Sequence, residues 1–141
     1  MKVKYTKLHP DSQLPTKSSV GAAGYDLFSM ENVYIPPGET TVVSTGIAMQ
    51  IPKGWKGEIY SRSGMAARGI LVANSPGKID SDYRGEIKVI LHNTRKELIG
   101  IQYKDKIAQF EVNPTHEIEW ELAEDLELTE RGHDGFGSTG K

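Results

Sequence analysis

An all-β fold of the sandwich or jelly-roll type is what this sequence predicts, and two observations predict it. Apolar side chains recur with a period of two over many short runs, and Gly/Pro turns separate those runs. Helical spacing is scarce, with one short helical piece at 63–68 and a second candidate at 122–126. In chain order, Val3 and Tyr5 suggest a first strand, and residues 33–35 a second. Ile47, Met49 and Ile51 alternate with Ala48 and Gln50, and residues 58–60 form a further short strand. Ile87, Val89 and Leu91 repeat the pattern, as do residues 99–103 and Ala108, Phe110 and Val112. The last alternation sets Ile118, Trp120 and Leu122 against Glu117, Glu119 and Glu121, and so predicts a final strand. Turns fall at Pro36-Pro37-Gly38, Pro52-Lys53-Gly54, Ser75-Pro76-Gly77 and Asn113-Pro114.

The length of 141 residues suits one domain with a real core. Seventeen basic and 19 acidic residues leave a net charge of −2, which gives no electrostatic reason to expect nucleic acid or an anionic membrane as partner. With no cysteine, disulfides and thiolate metal sites are excluded. The N-terminus has no apolar stretch of signal-peptide type, and no run reaches the ~20 residues of a membrane span. A soluble, intracellular (cytoplasmic) protein is expected. Residues 1–130 form the β body and 131–141 an arm of the same domain. That arm, RGHDGFGSTGK, has four glycines and almost nothing to anchor a core.

Five segments could carry chemistry. In Ala22-Ala-Gly-Tyr-Asp-Leu27, Asp26 sits among small and apolar residues, where a carboxylate needs a partner or a metal. In the run 61–68, Arg62 offers a planar fork of donors, and Ser63 and Gly64 could complete an anion site; the plain alternative is that Ser63 caps a helix. In 74–85, Asp80 and Asp82 lie two apart, so on an extended chain they share a face. They could co-ligate a metal, or one could act as a general base; turn chemistry is the alternative. In Lys106-Ile-Ala-Gln-Phe110, Gln109 points away from the core. The arm ends in GxxxxGK, but no strand precedes it and no helix follows, so a P-loop is rejected. What remains are phosphate donors at Arg131, Ser138 and Thr139, and Phe136, an aromatic suited to stacking on a base.

Taken in order, AAGYDL, SRSGMA, GKIDSDYRGEI, KIAQ and RGHDGFGSTG closely resemble the five motifs of the trimeric dUTP pyrophosphatase (dUTPase) family. The resemblance implies a jelly-roll homotrimer with a short helix and a flexible arm. It implies intersubunit active sites that hydrolyse dUTP to dUMP and pyrophosphate with Mg²⁺, limiting uracil in DNA and supplying dUMP for dTMP synthesis. Asp80 would activate the attacking water. Asn74, Tyr83 and Phe136 would hold the base and sugar. Arg62, Ser63, Gly64, Gln109, Arg131, Gly137, Ser138 and Thr139 would bind phosphate, and Asp26 would hold the metal through water. Ser61 stands where many members have proline, Met65 where leucine is usual, Lys78 beside the base loop, and Lys106 where arginine is common. Two rival readings are a dCTP deaminase, which shares the fold, and a non-catalytic jelly roll that engages a regulatory protein partner.

Overall fold

The computed structural model describes residues 1–140; Lys141, the last residue of the predicted arm, lies outside them. The expected all-β architecture is present: two four-stranded antiparallel sheets, a two-stranded ribbon and one short helix. The strands are β1 (Lys4–Lys7), β2 (Tyr25–Phe28), β3 (Val33–Ile35), β4 (Thr40–Gln50), β5 (Trp55–Tyr60), β6 (Ile70–Val72), β7 (Gly77–Ile79), β8 (Glu86–Asn93), β9 (Ile99–Ile101) and β10 (Lys106–Pro114), with α1 (Ser63–Ala67) after β5. One sheet runs β1-β4-β8-β6 and the other β2-β10-β5-β7, so neighbouring strands are mostly distant in sequence. This is the interleaved order of a jelly roll.

The period-two pattern explains the core. Val43 and Ile47 of β4, Ile87, Val89 and Leu91 of β8, and Ile59, Ala108 and Phe110 of β5 and β10 are all buried between the sheets. The alternate residues of the second sheet, which point away from the first sheet, are polar. In register across that outer face stand Asp26, Gln109 and Tyr60, then Glu111, Glu58 and Lys78 one step along. Gly57 lets the sheet close on its core: a Cβ there would meet Phe110 Cε2 at 2.6 Å and Ile79 Cβ at 3.0 Å.

Two expectations fail at the C-terminal end. Residues 117–122 form no strand and 122–126 no helix. The alternation is real, but Trp120 is 86% exposed and Leu122 100% exposed, with no neighbouring strand in the same chain to pair with. A strand needs a ladder partner, which sequence periodicity does not supply. The helix at 63–68 does form, but Ser63 is its first residue rather than its cap; Arg62 takes the cap position and makes no side-chain capping bond.

Candidate active site

Three of the five segments meet at one end of the second sheet because β10 pairs with both β2 and β5. Gln109 lies opposite Asp26 on one side and Tyr60 on the other. Its Nε2 donates to the Ser61 carbonyl at 2.9 Å, fixing the chain where β5 turns into α1. Gly24 makes room for it, since a Cβ there would lie 3.0 Å from Gln109 Oε1. Arg62 then reaches back, donating from Nε to Asp26 Oδ1 at 2.9 Å and from Nη1 to the Lys106 carbonyl at 3.5 Å. Lys106 Nζ lies 3.0 Å from Asp26 Oδ2, and Ser18 donates to the same oxygen. Asp26 is only 7% exposed. Burial alone would push its carboxyl up, but the hydrogen bonds from Ser18 and Lys106 and the Arg62 guanidinium outweigh it and hold the group below the usual carboxylate range.

Asp26 therefore has its partners within the chain. Three of the roughly four acceptor sites on a carboxylate are used, which leaves one. Among the described residues no three His, Asp or Glu side chains converge to hold a metal. That donor set fits Mg²⁺, which takes few protein ligands and keeps several waters alongside phosphate oxygens. It does not fit a metal caged by protein alone.

Ser63 and Gly64 are exposed at the start of α1. A Cβ on Gly64 would meet nothing within 4 Å, so this chain's own packing does not require glycine there.

Asp80 lies elsewhere. It follows β7, whose Ile79 pairs with Gly57, three residues along β5 from Tyr60. Its carboxylate is exposed and makes no hydrogen bond or ion pair among the described residues. It borders an open cleft of about 690 Å³ with Lys53, Lys56, Asp82 and Arg84. Tyr83 is fixed close by: its hydroxyl donates to the Glu86 carbonyl at 2.9 Å, and its ring covers Gly85, where any Cβ would collide with it. On the β6–β7 turn, the Asn74 amide packs over Gly77, with Nδ2 3.0 Å from where a Cβ would sit.

The two groups are far apart. Four residues along β5 and three strand spacings across the sheet separate Asp80 from Asp26, about 20 Å at ordinary strand geometry. The arm joins neither. After the Thr115 amide bonds to Gly54, no hydrogen bond ties residues 116–140 to the body. Arg131 Nε donates only to the nearby Asp134 carbonyl, and Phe136 is fully exposed with a positive φ of 52°.

Sequence reading missed Ser18, which no motif marks, and Gly85, whose role appears only once the Tyr83 ring is placed over it. Tyr60 was missed too. It donates to Glu58 across the outer face, and that bond raises its own pKa to about 12. The same bond, with Lys56, holds Glu58 below its usual range.

The fold is an all-β antiparallel sandwich, and comparison with known proteins places the chain among the nucleotide hydrolases. The family model described as dUTPase matches residues 11–140, and the chain belongs to the dUTPase family. A deoxyuridine 5'-triphosphate nucleotidohydrolase from Wolinella succinogenes is 49% identical over all of this chain and 95% of its own length. Among solved structures, a variant of the Staphylococcus bacteriophage 80alpha dUTPase with dUpNHpp superposes with a TM-score of 0.90 at 26% identity, covering 99% of each chain. A dUTPase variant from phage phi11 of S. aureus, whose structure concerns a structural Mg(II) ion, has a TM-score of 0.82 at 26% identity, covering 91% of this chain and all of its own.

Proposed function

We propose that the protein hydrolyses dUTP to dUMP and pyrophosphate in sites assembled between the copies of a homotrimer. The observation that carries this reading is the separation within one chain: an unpaired, exposed aspartate beside an anchored tyrosine at one end of the sheet, and a cationic cluster about 20 Å away at the other. A single water and one triphosphate cannot bridge that distance, whereas a neighbouring copy can place one half against the other. The unattached segment 116–140 has the reach to bring a third contribution, at ~3.3 Å per extended residue.

Each side chain then has a defined task. Asp80, free of competing partners, accepts the proton of a water aimed at the α-phosphorus. Tyr83 presents a fixed ring to the sugar, and the Asn74 turn presents backbone and amide groups to the base. Arg62, Ser63 and Gly64 bind phosphate oxygens, and the bare Gly64 lets them approach closely. Gln109 keeps this segment in place through Ser61. Arg131, Gly137, Ser138 and Thr139 close over the phosphates while Phe136 covers the base, excluding bulk water. Bound Mg²⁺ supplies charge neutralisation on the triphosphate, and the remaining lone pair of Asp26 is available to one of its waters.

Pyrophosphate release measured across dUTP, dCTP, dTTP, dATP, dGTP and UTP, with and without Mg²⁺, tests the reading. Turnover confined to dUTP and lost without Mg²⁺ is expected. Comparable rates on all substrates, or ammonia release from dCTP, would overturn it.

A further inference from the structure

The cluster around Asp26 contains a group whose position has a chemical consequence for Arg62. Lys106 touches both members of the ion pair, its Nζ lying 3.0 Å from Asp26 Oδ2 and its carbonyl accepting from Arg62 Nη1. The same Nζ donates to Ser18 Oγ at 2.9 Å, and Ser18 passes a hydrogen bond to Asp26 Oδ2. One carboxylate oxygen is thus occupied by a lysine and a serine. Only Oδ1 is left for Arg62, and it is taken end-on by Nε at 2.9 Å.

A carboxylate with both oxygens free ordinarily grips arginine through two parallel bonds. That grip would engage a terminal nitrogen of Arg62 as well, and the Asp26–Arg62 pair without Lys106 would carry no net charge. Here the guanidinium, with five N–H donors, has two engaged and three outstanding. Asp26, Arg62 and Lys106 together carry a net charge of +1. We propose that Lys106 and Ser18 are positioning residues for triphosphate binding: by saturating Asp26 Oδ2 they confine the Arg62 contact to Nε and leave its outer donors, and one net positive charge, for the polyphosphate. The inference rests on the dUTP-hydrolase reading given above.

The test uses the full chain with Lys106→Met, Lys106→Arg and Ser18→Ala. Kd for the non-hydrolysable analogue dUpNHpp is measured at low and high salt, and kcat and KM are measured with dUTP. Lys106→Met should raise Kd and KM about tenfold, roughly the value of one charge-assisted contact, with kcat within about twofold. Its binding should also lose part of the wild-type salt dependence, because a screened charge is gone. Lys106→Arg should return close to wild type, and Ser18→Ala should raise Kd by a few-fold. Unchanged Kd and KM for Lys106→Met, or an arginine variant as impaired as the methionine one, would overturn the proposal. Ser18 is exposed and loses only a hydroxyl, so its variant should still fold if Lys106→Met does not; an unchanged Kd for Ser18→Ala would then overturn it. Wild-type protein with no dUTP turnover would refute the underlying function instead.

Discussion

Replacing Asp26 with asparagine removes the charge at the centre of the cationic cluster while keeping its shape. The asparagine carbonyl can still accept from Arg62 Nε, but its amide would face Lys106 Nζ and Ser18 Oγ, turning acceptor into donor against donors. Breaking a fully buried pair from one side costs about 3–5 kcal/mol. Arg62 and Lys106 keep side-chain exposures of 30% and 40%, so water compensates part of that loss. A destabilisation of about 2 kcal/mol at neutral pH follows, or roughly 6 °C in Tm for a chain of this length. The pH dependence gives a sharper check. Asp26 is held below its ordinary range, so its contribution is present above about pH 4 and is lost as pH falls through the lower folded value. The gap between wild type and variant should therefore be full at pH 7 and close under acid, when protonated Asp26 resembles asparagine. Denaturant melts across pH, at matched protein concentration, measure it. A variant as stable as wild type at pH 7, or a gap that persists undiminished in acid, would refute this view of the cluster.

Other perturbations probe other parts of the molecule. Tyr60, raised to about 12 by its bond to Glu58, contributes stability that is intact below pH 10 and lost as pH climbs through 12. Tyr60→Phe should remove that alkaline loss, and a tyrosinate absorbance titration should lose its most basic component. Gly57→Ala would force a methyl into Phe110 and Ile79, costing about 1–3 kcal/mol. Because Ile79 precedes Asp80, turnover should fall along with Tm; a normal Tm would show that the sheet absorbs the methyl. Truncation after Glu130 should leave a folded oligomer by sedimentation, since residues 131–140 make no hydrogen bond to the body, yet turnover should drop at least a hundredfold as the lid and clamp are lost.

Much of the fold was legible in the chain because a sandwich writes its core directly as period-two alternation. Ile87, Val89 and Leu91 of β8 and Ala108 and Phe110 of β10 sit inward as that pattern requires. The same rule misleads at Ile118, Trp120 and Leu122, where alternation exists without a partner strand in the chain. β6 and β7, three residues each, show no period of their own and escape the sequence reading, although β3 and β9 of the same length are candidates in it. At the candidate site, the residue types were readable and their grouping was not. Asp26 and Arg62 are 36 positions apart and meet only because β10 pairs with both β2 and β5. Ser18 carried no signal at all, since a serine in a polar loop looks like any other.

In the proposed function, one catalytic site draws its water-activating aspartate and its arm from different copies of the chain. Two inactive proteins test it together: Asp80→Asn, expected to lose about 10²–10⁴-fold in kcat as a missing general base, and the protein truncated after Glu130. Each should be nearly inert alone. Co-refolded in equal amounts, they should regain activity, because some sites then combine Asp80 of a truncated copy with the arm of an Asp80→Asn copy. Random assembly of a symmetric trimer predicts about a quarter of the wild-type site number. Mixed trimers that stay as inactive as their components would contradict the claim, placing the aspartate and the arm of each site in the same chain.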